Sequence, residues 1–194
     1  RDNTPEDARV LSWWDYGYQI NGLANRTTLA DGNTWNHEHI ALIGKCLMSP
    51  EEEGWKIIRH LADYVLVLSS QHIGSGSGDD LMKCPHMARI GGSVFKDMDP
   101  KRYYINKQGI SQAIFDSVLY KLHSFRLSES VPEVTHFEEA YTSSHNMVRI
   151  YAVKDVDEES KEYCRTHREY PPALKPIIAK AKAFDQKAHW GQAR

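Results

Sequence analysis

Apolar positions along this chain recur with two periods, and the changes between them set out alternating strands and helices. Val10-Leu11 leads into Ser12-Trp13-Trp14-Asp15-Tyr16-Gly17-Tyr18, so residues 9–18 read as a strand end delivering an aromatic loop, with Gly17 permitting a tight turn. Residues 18–24 fit a short helix, and Thr27-Thr28-Leu29-Ala30 a short strand stopped by the turn signal Asp31-Gly32-Asn33. Ile40, Ile43 and Leu47 share one face of a helix over about 39–47. Ser49-Pro50-Glu51-Glu52 then reads as a capping box, with Pro50 at the first helical position, and Trp55, Ile58 and Leu61 continue at helical spacing. The continuous, β-branched run 64–68 predicts a buried strand. This alternation implies an α/β (mixed α+β) core with peripheral, mostly helical segments.

Gly74-Ser75-Gly76-Ser77-Gly78 lacks the Gly-Lys-Ser/Thr that would make it a phosphate loop, so it reads as a hinge. Asp79-Asp80 opens a segment ending near Phe95. Ile110, Ile114, Val118 and Leu122 line up on a helix over 110–122, and residues 137–142 and 147–153 read as two strands joined at Ser143-Ser144-His145-Asn146. Beyond residue 153 the character changes, which predicts a domain over 1–153 and a basic, mostly helical extension over 154–194. Residues 161–194 hold eight Lys/Arg against three Asp/Glu. There Leu174, Ile177, Ile178, Ala181 and Phe184 form an apolar stripe, suited to a peripheral helix packed on the domain or to one on a membrane or partner surface.

A length of 194 residues suits one domain with a real core, and a net charge of −2 argues against a general nucleic-acid binder. No run is long enough to span a bilayer, and no secretory pattern opens the chain; it starts abruptly at Arg1-Asp2, so it is expected to be a piece of something larger. Cys46, Cys84 and Cys164 allow at most one disulfide. His37 and His39 are half a metal site or capping residues, and no Cys/His cluster completes a site.

The candidate chemistry lies at Trp13-Trp14-Asp15. Two indole N–H donors beside one acceptor carboxylate can read a small hydroxyl, which both donates and accepts. Taken alone, such an aromatic pair is more often core packing. Two other readings remain at this point. A non-catalytic carbohydrate-binding module would need Trp13 and Trp14 flat and exposed, and a self-contained glycosidase would need a second acid near Asp15.

The neighbouring residues extend the pattern. Trp13-Trp14-Asp15-Tyr16-Gly17-Tyr18-Gln19-Ile20 is followed by Asn25-Arg26-Thr27-Thr28-Leu29, Asn33-Thr34-Trp35-Asn36, Ser49-Pro50-Glu51-Glu52, Asp63-Tyr64-Val65-Leu66-Val67, Gly78-Asp79-Asp80 and Met147-Val148-Arg149-Ile150-Tyr151. This ordered series resembles the C-terminal lumenal domain of the catalytic subunit of oligosaccharyltransferase, the STT3 family in its eukaryotic form. The resemblance covers roughly residues 9–153. It implies a glycosyltransferase of the endoplasmic reticulum that moves an oligosaccharide from dolichyl diphosphate onto Asn of Asn-x-Ser/Thr. Its implied partners are the acceptor polypeptide, the lipid-linked donor reached through the full-length enzyme, its own multi-pass membrane domain and further oligosaccharyltransferase subunits; nucleic acid is not among them. Carried over, Trp13 and Trp14 donate to the +2 Ser/Thr hydroxyl and Asp15 accepts from it, while Tyr16 and Gly17 shape the loop. Tyr18 is expected to pack.

A second family motif, Asp-x-x-Lys-x-x-x-Met/Ile, reads here Asp80-Leu81-Met82-Lys83-Cys84-Pro85-His86-Met87. By resemblance Met87 packs on the extra methyl of Thr, and Asp80 pairs with Lys83 to brace the pocket. Pro85 removes an amide, so these eight residues cannot form one unbroken helix, and Pro85 is placed to start a new one. The chain departs from many relatives in lacking an acceptor sequon at Asn36-His37-Glu38; the sequon that remains, Asn25-Arg26-Thr27, is expected to be buried and unmodified. The family's catalytic carboxylates and its divalent cation, Mn2+ or Mg2+, belong to the membrane domain. No catalytic residue and no cofactor is therefore expected in this chain, which alone is expected to be inactive.

Overall fold

The computed structural model describes residues 1–34, 36–69, 79–131 and 133–181. Its frame is a five-stranded mixed sheet with spatial order β2-β1-β3-β7-β6. Strand β1 is Arg9–Leu11, and helix α1, Gly17–Gly22, returns the chain to β2, Thr27–Thr28. Helices α2, His37–Met48, and α3, Glu51–Ile58, then carry it across to β3, Tyr64–Leu68. Both β2 and β3 run parallel to β1, on opposite sides of it. The chain therefore leaves β1 in one direction and comes back on the other. In open α/β sheets a crevice forms where the connections part in this way, at the carboxyl ends of the strands.

The segment after β3 resumes as a 3-10 turn, Asp80–Lys83, and then α4, Cys84–Val94, with Pro85 in its first turn. Pro85 starts that helix, as expected, since an N–H there would have had no partner. A small ribbon follows, β4 (Ile105–Asn106) with β5 (Gly109–Ile110), and then α5, Gln112–Phe115, and α6, Val118–Ser124. The antiparallel hairpin β6 (Phe137–Thr142) and β7 (Val148–Val153) completes the sheet, β7 lying against β3. Helices α7, Glu158–His167, and α8, Lys175–Ile178, close the described chain, with Tyr170, Leu174 and Ile178 packed into the core. Among the described residues no helix is long and apolar enough to cross a membrane.

Helix α2 is the axis of the core, buried on almost every side, and α4 lies close along it. Gly44 allows that approach: a Cβ there would stand 2.8 Å from the Met87 carbonyl oxygen. The helix begins two residues before the expected place, because the Asn36 side chain accepts from the His39 N–H at 3.0 Å.

Three expectations about elements are corrected. Ser49 does not cap α3, whose N-cap is Pro50 with no side-chain bond. Glu51 turns inward instead and accepts from the N–H groups of Thr135 and His136 at 2.7 and 2.8 Å. The helix over 110–122 is two helices, because Ser117 interrupts it, donating to Ile114 O at 2.6 Å while accepting from Tyr120 N–H at 3.2 Å. Gly17 has φ −57°, which any residue adopts; it is needed because a Cβ would stand 2.1 Å from Ala30 O. The hinge 74–78, Trp35 and the end of the apolar stripe at Phe184 lie outside the described residues.

Candidate functional site

The two motifs meet at the crevice. Trp13 and the 3-10 turn Trp14–Tyr16 leave the carboxyl end of β1, and Asp80–Lys83 lies beyond the carboxyl end of its neighbour β3. Sixty-odd residues of sequence separate them, and Lys83 joins them. Its ammonium lies 2.6 Å from Asp15 Oδ2 and 3.3 Å from Asp80 Oδ1. It also donates to the Tyr16 hydroxyl at 2.6 Å, and that hydroxyl donates in turn to Asp80 Oδ1 at 2.7 Å. The other Asp80 oxygen accepts the N–H of Leu68, the last residue of β3, at 2.8 Å. The sequence reading expected Asp80 to pair with Lys83; it did not find the link from Lys83 to Asp15, nor the Tyr16 relay.

The electrostatics follow from burial. Asp80 is fully buried, and desolvation raises its pKa although Tyr16, the Leu68 amide and Lys83 all oppose the rise. Burial, with Asp80 alongside, pushes the Tyr16 phenol far above its usual value, so it stays a neutral donor. Next door, fully buried Asp79 accepts from the Leu81 N–H and lies 2.9 Å from His123 Nε2. Asp15 differs from both in being 28% exposed.

The indoles lie at different depths. Trp14 is half-buried at the rim, while Trp13 is 2% exposed and belongs to the core, 6.3 Å from Trp14 and edge-on to His86 at 6.1 Å. The flat, exposed Trp pair required of a carbohydrate-binding module is therefore not what the structure presents. Met87 is fully buried where α4 meets α2, so in this state it has no surface to offer a ligand. Tyr18, expected to pack, is 56% exposed with its ring laid over Gly32.

Other candidates resolve into local structure. His37 bonds Ser93 at 2.8 Å, whereas His39 is buried between Tyr170 and Leu29 O, so the two rings diverge. All three cysteines are free and buried. Among the described residues no three His, Cys, Asp or Glu side chains gather as a metal site, and Asp79 and Asp80 are already engaged by protein donors, so these residues do not fit a divalent cation. The sequon Asn25-Arg26-Thr27 is not buried as expected. Asn25 is exposed at φ 53°, and the buried member is Arg26, bonded to Thr4 and to backbone carbonyls.

Residues 6–73 match the model of the STT3/PglB/AglB core domain. The chain is 41% identical over 182 residues to the dolichyl-diphosphooligosaccharide–protein glycosyltransferase subunit STT3 of Dictyostelium discoideum, covering 80% of this chain and 25% of that protein. It is 38% identical over 188 residues to the subunit of the same name in Saccharomyces cerevisiae, covering 83% and 26%. It thus spans about a quarter of the length of these relatives. Among solved structures, the crystal structure of the C. jejuni PglB C-terminal domain superposes with a TM-score of 0.50 at 9% identity, over 79% of this chain and 96% of that one, a likeness of fold. Sequence and fold point the same way: the chain is similar to a part of the STT3 subunits, and its fold is like that of the C. jejuni PglB C-terminal domain.

Proposed function

We propose that this chain is the acceptor-reading part of an oligosaccharyltransferase catalytic subunit. It faces the lumen of the endoplasmic reticulum within a multi-pass membrane protein. It selects Asn-x-Ser/Thr by the +2 hydroxyl, while the remainder of the enzyme brings the dolichyl-diphosphate-linked oligosaccharide, the catalytic carboxylates and Mn2+ or Mg2+. The observation that carries this reading is Asp15, a carboxylate at the mouth of the crevice with Oδ2 against an ammonium and Oδ1 bonded by no described residue, beside the half-buried Trp14.

Such a carboxylate accepts one more hydrogen bond without breaking those it has. A hydroxyl supplies that proton, and its lone pairs can take an indole N–H. A side chain without the hydroxyl leaves Asp15 and Trp14 desolvated and unpaired, which costs about 1–3 kcal/mol for each group. Discrimination thus comes from penalising the wrong residue. Trp14 and Asp15 make the first contact, and Trp13 and Met87, one layer below, complete the pocket as the motif turn shifts outward on docking. Met87 against the Thr methyl adds about 0.8 kcal/mol, a several-fold preference over Ser.

The test uses the full-length enzyme carrying Asp15→Ala or Trp14→Ala, with Asn-x-Thr and Asn-x-Ala peptides. The variants are expected to bind the two peptides alike. Undiminished preference for the Thr peptide would refute the reading.

A further inference from the structure

The connections around Lys83 have a direction. The ammonium donates to Tyr16, Tyr16 has one proton, and that proton goes to Asp80. Asp80 cannot turn away, since its second oxygen is fixed by the Leu68 N–H at the end of an interior strand and its side chain is fully buried. Strand β3 therefore fixes Asp80, Asp80 orients the Tyr16 hydroxyl, and the hydroxyl sets where the Lys83 ammonium sits. Lys83 is a long, rotamer-rich side chain, 17% exposed, and without these acceptors its head would be free to move. Its position matters because it lies against one Asp15 oxygen, while the other takes no bond from any described residue.

Resting on the hydroxyl-reading role of Asp15, we propose that Tyr16 is a positioning residue for acceptor selection: through Lys83 its hydroxyl decides which Asp15 oxygen is offered to the +2 side chain. Tyr16 does not touch the peptide. It converts a carboxylate with two equivalent oxygens into one with a single aimed acceptor. Hydrogen bonds are steeply angle-dependent, so a carboxylate free to rotate would accept from the hydroxyl less well.

Tyr16→Phe in the full-length enzyme removes the hydroxyl, and with it the relay between Lys83 and Asp80. The expected result is a KM for an Asn-x-Thr peptide raised about tenfold, the value of one hydrogen bond to a charged group, with kcat within about twofold. The inhibition constant of the matching Asn-x-Ala peptide stays unchanged, because that peptide has nothing for Asp15 to accept. In a Lys83→Met background Tyr16→Phe adds little, since both act through the same ammonium. Should Tyr16→Phe yield no folded enzyme, Lys83→Arg, which keeps the charge and moves the donors, is expected to give the same Thr-only rise. A variant that weakens both peptides equally, or neither, overturns the proposal. Asp15→Ala is measured beside it: if that variant still prefers Thr over Ala, the hydroxyl-reading role itself is wrong, a failure distinct from that of Tyr16.

Discussion

Two kinds of charge cluster in this molecule differ in one respect. Arg149, 1% exposed on β7, gives Nη1 to the carbonyls of Leu122, His123 and Phe125 at the end of α6, and its guanidinium also reaches Glu139 at 3.3 Å. Glu51, 6% exposed, is held as completely by two backbone amides and Lys121 at 2.9 Å. In both, a charged group is spent on chain ends that need a partner. At the crevice the same kinds of group surround Asp15, yet among the described residues one of its carboxylate oxygens has no bonding partner. A closed cluster holds the fold together, whereas an open one has capacity for a ligand. Removing a closed charge is therefore expected to cost stability, and removing the open one recognition.

The largest effect is expected for Arg149→Met. It leaves the His123 and Phe125 carbonyls without this donor, while Leu122 O keeps the Tyr151 hydroxyl and Glu139 keeps Thr142 and Arg126. The stranded acceptors together with the lost charged hydrogen bonds bring the cost to about 3–5 kcal/mol. Chemical denaturation measures this, and a loss below about 1 kcal/mol would erase the contrast. Glu51→Ala is expected to cost roughly 2–4 kcal/mol by leaving two amides unpaired. It also carries a pH signature. Burial raises the Glu51 pKa, but the His136 amide, Lys121 and the Thr135 amide outweigh burial and hold it below the ordinary value of 4.5. With the folded pKa depressed, its contribution is complete above the unfolded value and is lost as pH falls through the folded one. Glu51→Gln should flatten the acid limb of a stability-against-pH curve, where pH falls below the ordinary carboxylate range.

Gly17→Ala comes next. Its Cβ would meet Ala30 O and Asp31 Cα, backbone atoms that cannot swing aside, so overpacking of roughly 1–3 kcal/mol is expected along with a displaced motif turn. A melting curve and the Asn-x-Thr KM should worsen together. Asp15→Ala is expected to change stability least, within about 1 kcal/mol, because its ion pair is partly open to solvent and Lys83 keeps Asp80 and Tyr16. The same variant should abolish the preference for Asn-x-Thr over Asn-x-Ala. A large loss of stability there would make the crevice cluster one more closed site.

Much of the frame was legible because the apolar periods are clean. The run at 64–68 and the hairpin at 137–153 emerged as strands, and α2 carried its buried face as Ile40, Ile43 and Leu47. The error at 110–122 is instructive. Residues 110, 114, 118 and 122 keep a spacing of four, so periodicity alone cannot see the break. Ser117 was the readable signal, a cap residue whose preference is reinforced when Val118 N–H bonds Ser49 O across the fold. At the site, the motifs identified the residues, but nothing local says that Lys83 reaches back to Asp15 and Tyr16. That fact belongs to the pairing of β1 with β3. The depths of Trp13 and Met87 were equally unreadable, since side chains suited to a ligand are suited to a core.

The strand order bears on the timing of biosynthesis. Strand β3 lies between β1, near the start of the chain, and β7, at residues 148–153. Trp13, Trp14 and Asp15 are thus synthesised ahead of that hairpin, and the sheet beneath them closes only after it has emerged. Long-range pairing of this kind is slow, because loop closure must precede the contacts that reward it. A nascent chain therefore carries the motif turn before the sheet that supports it is complete, and truncation ahead of residue 148 leaves β3 without its β7 neighbour.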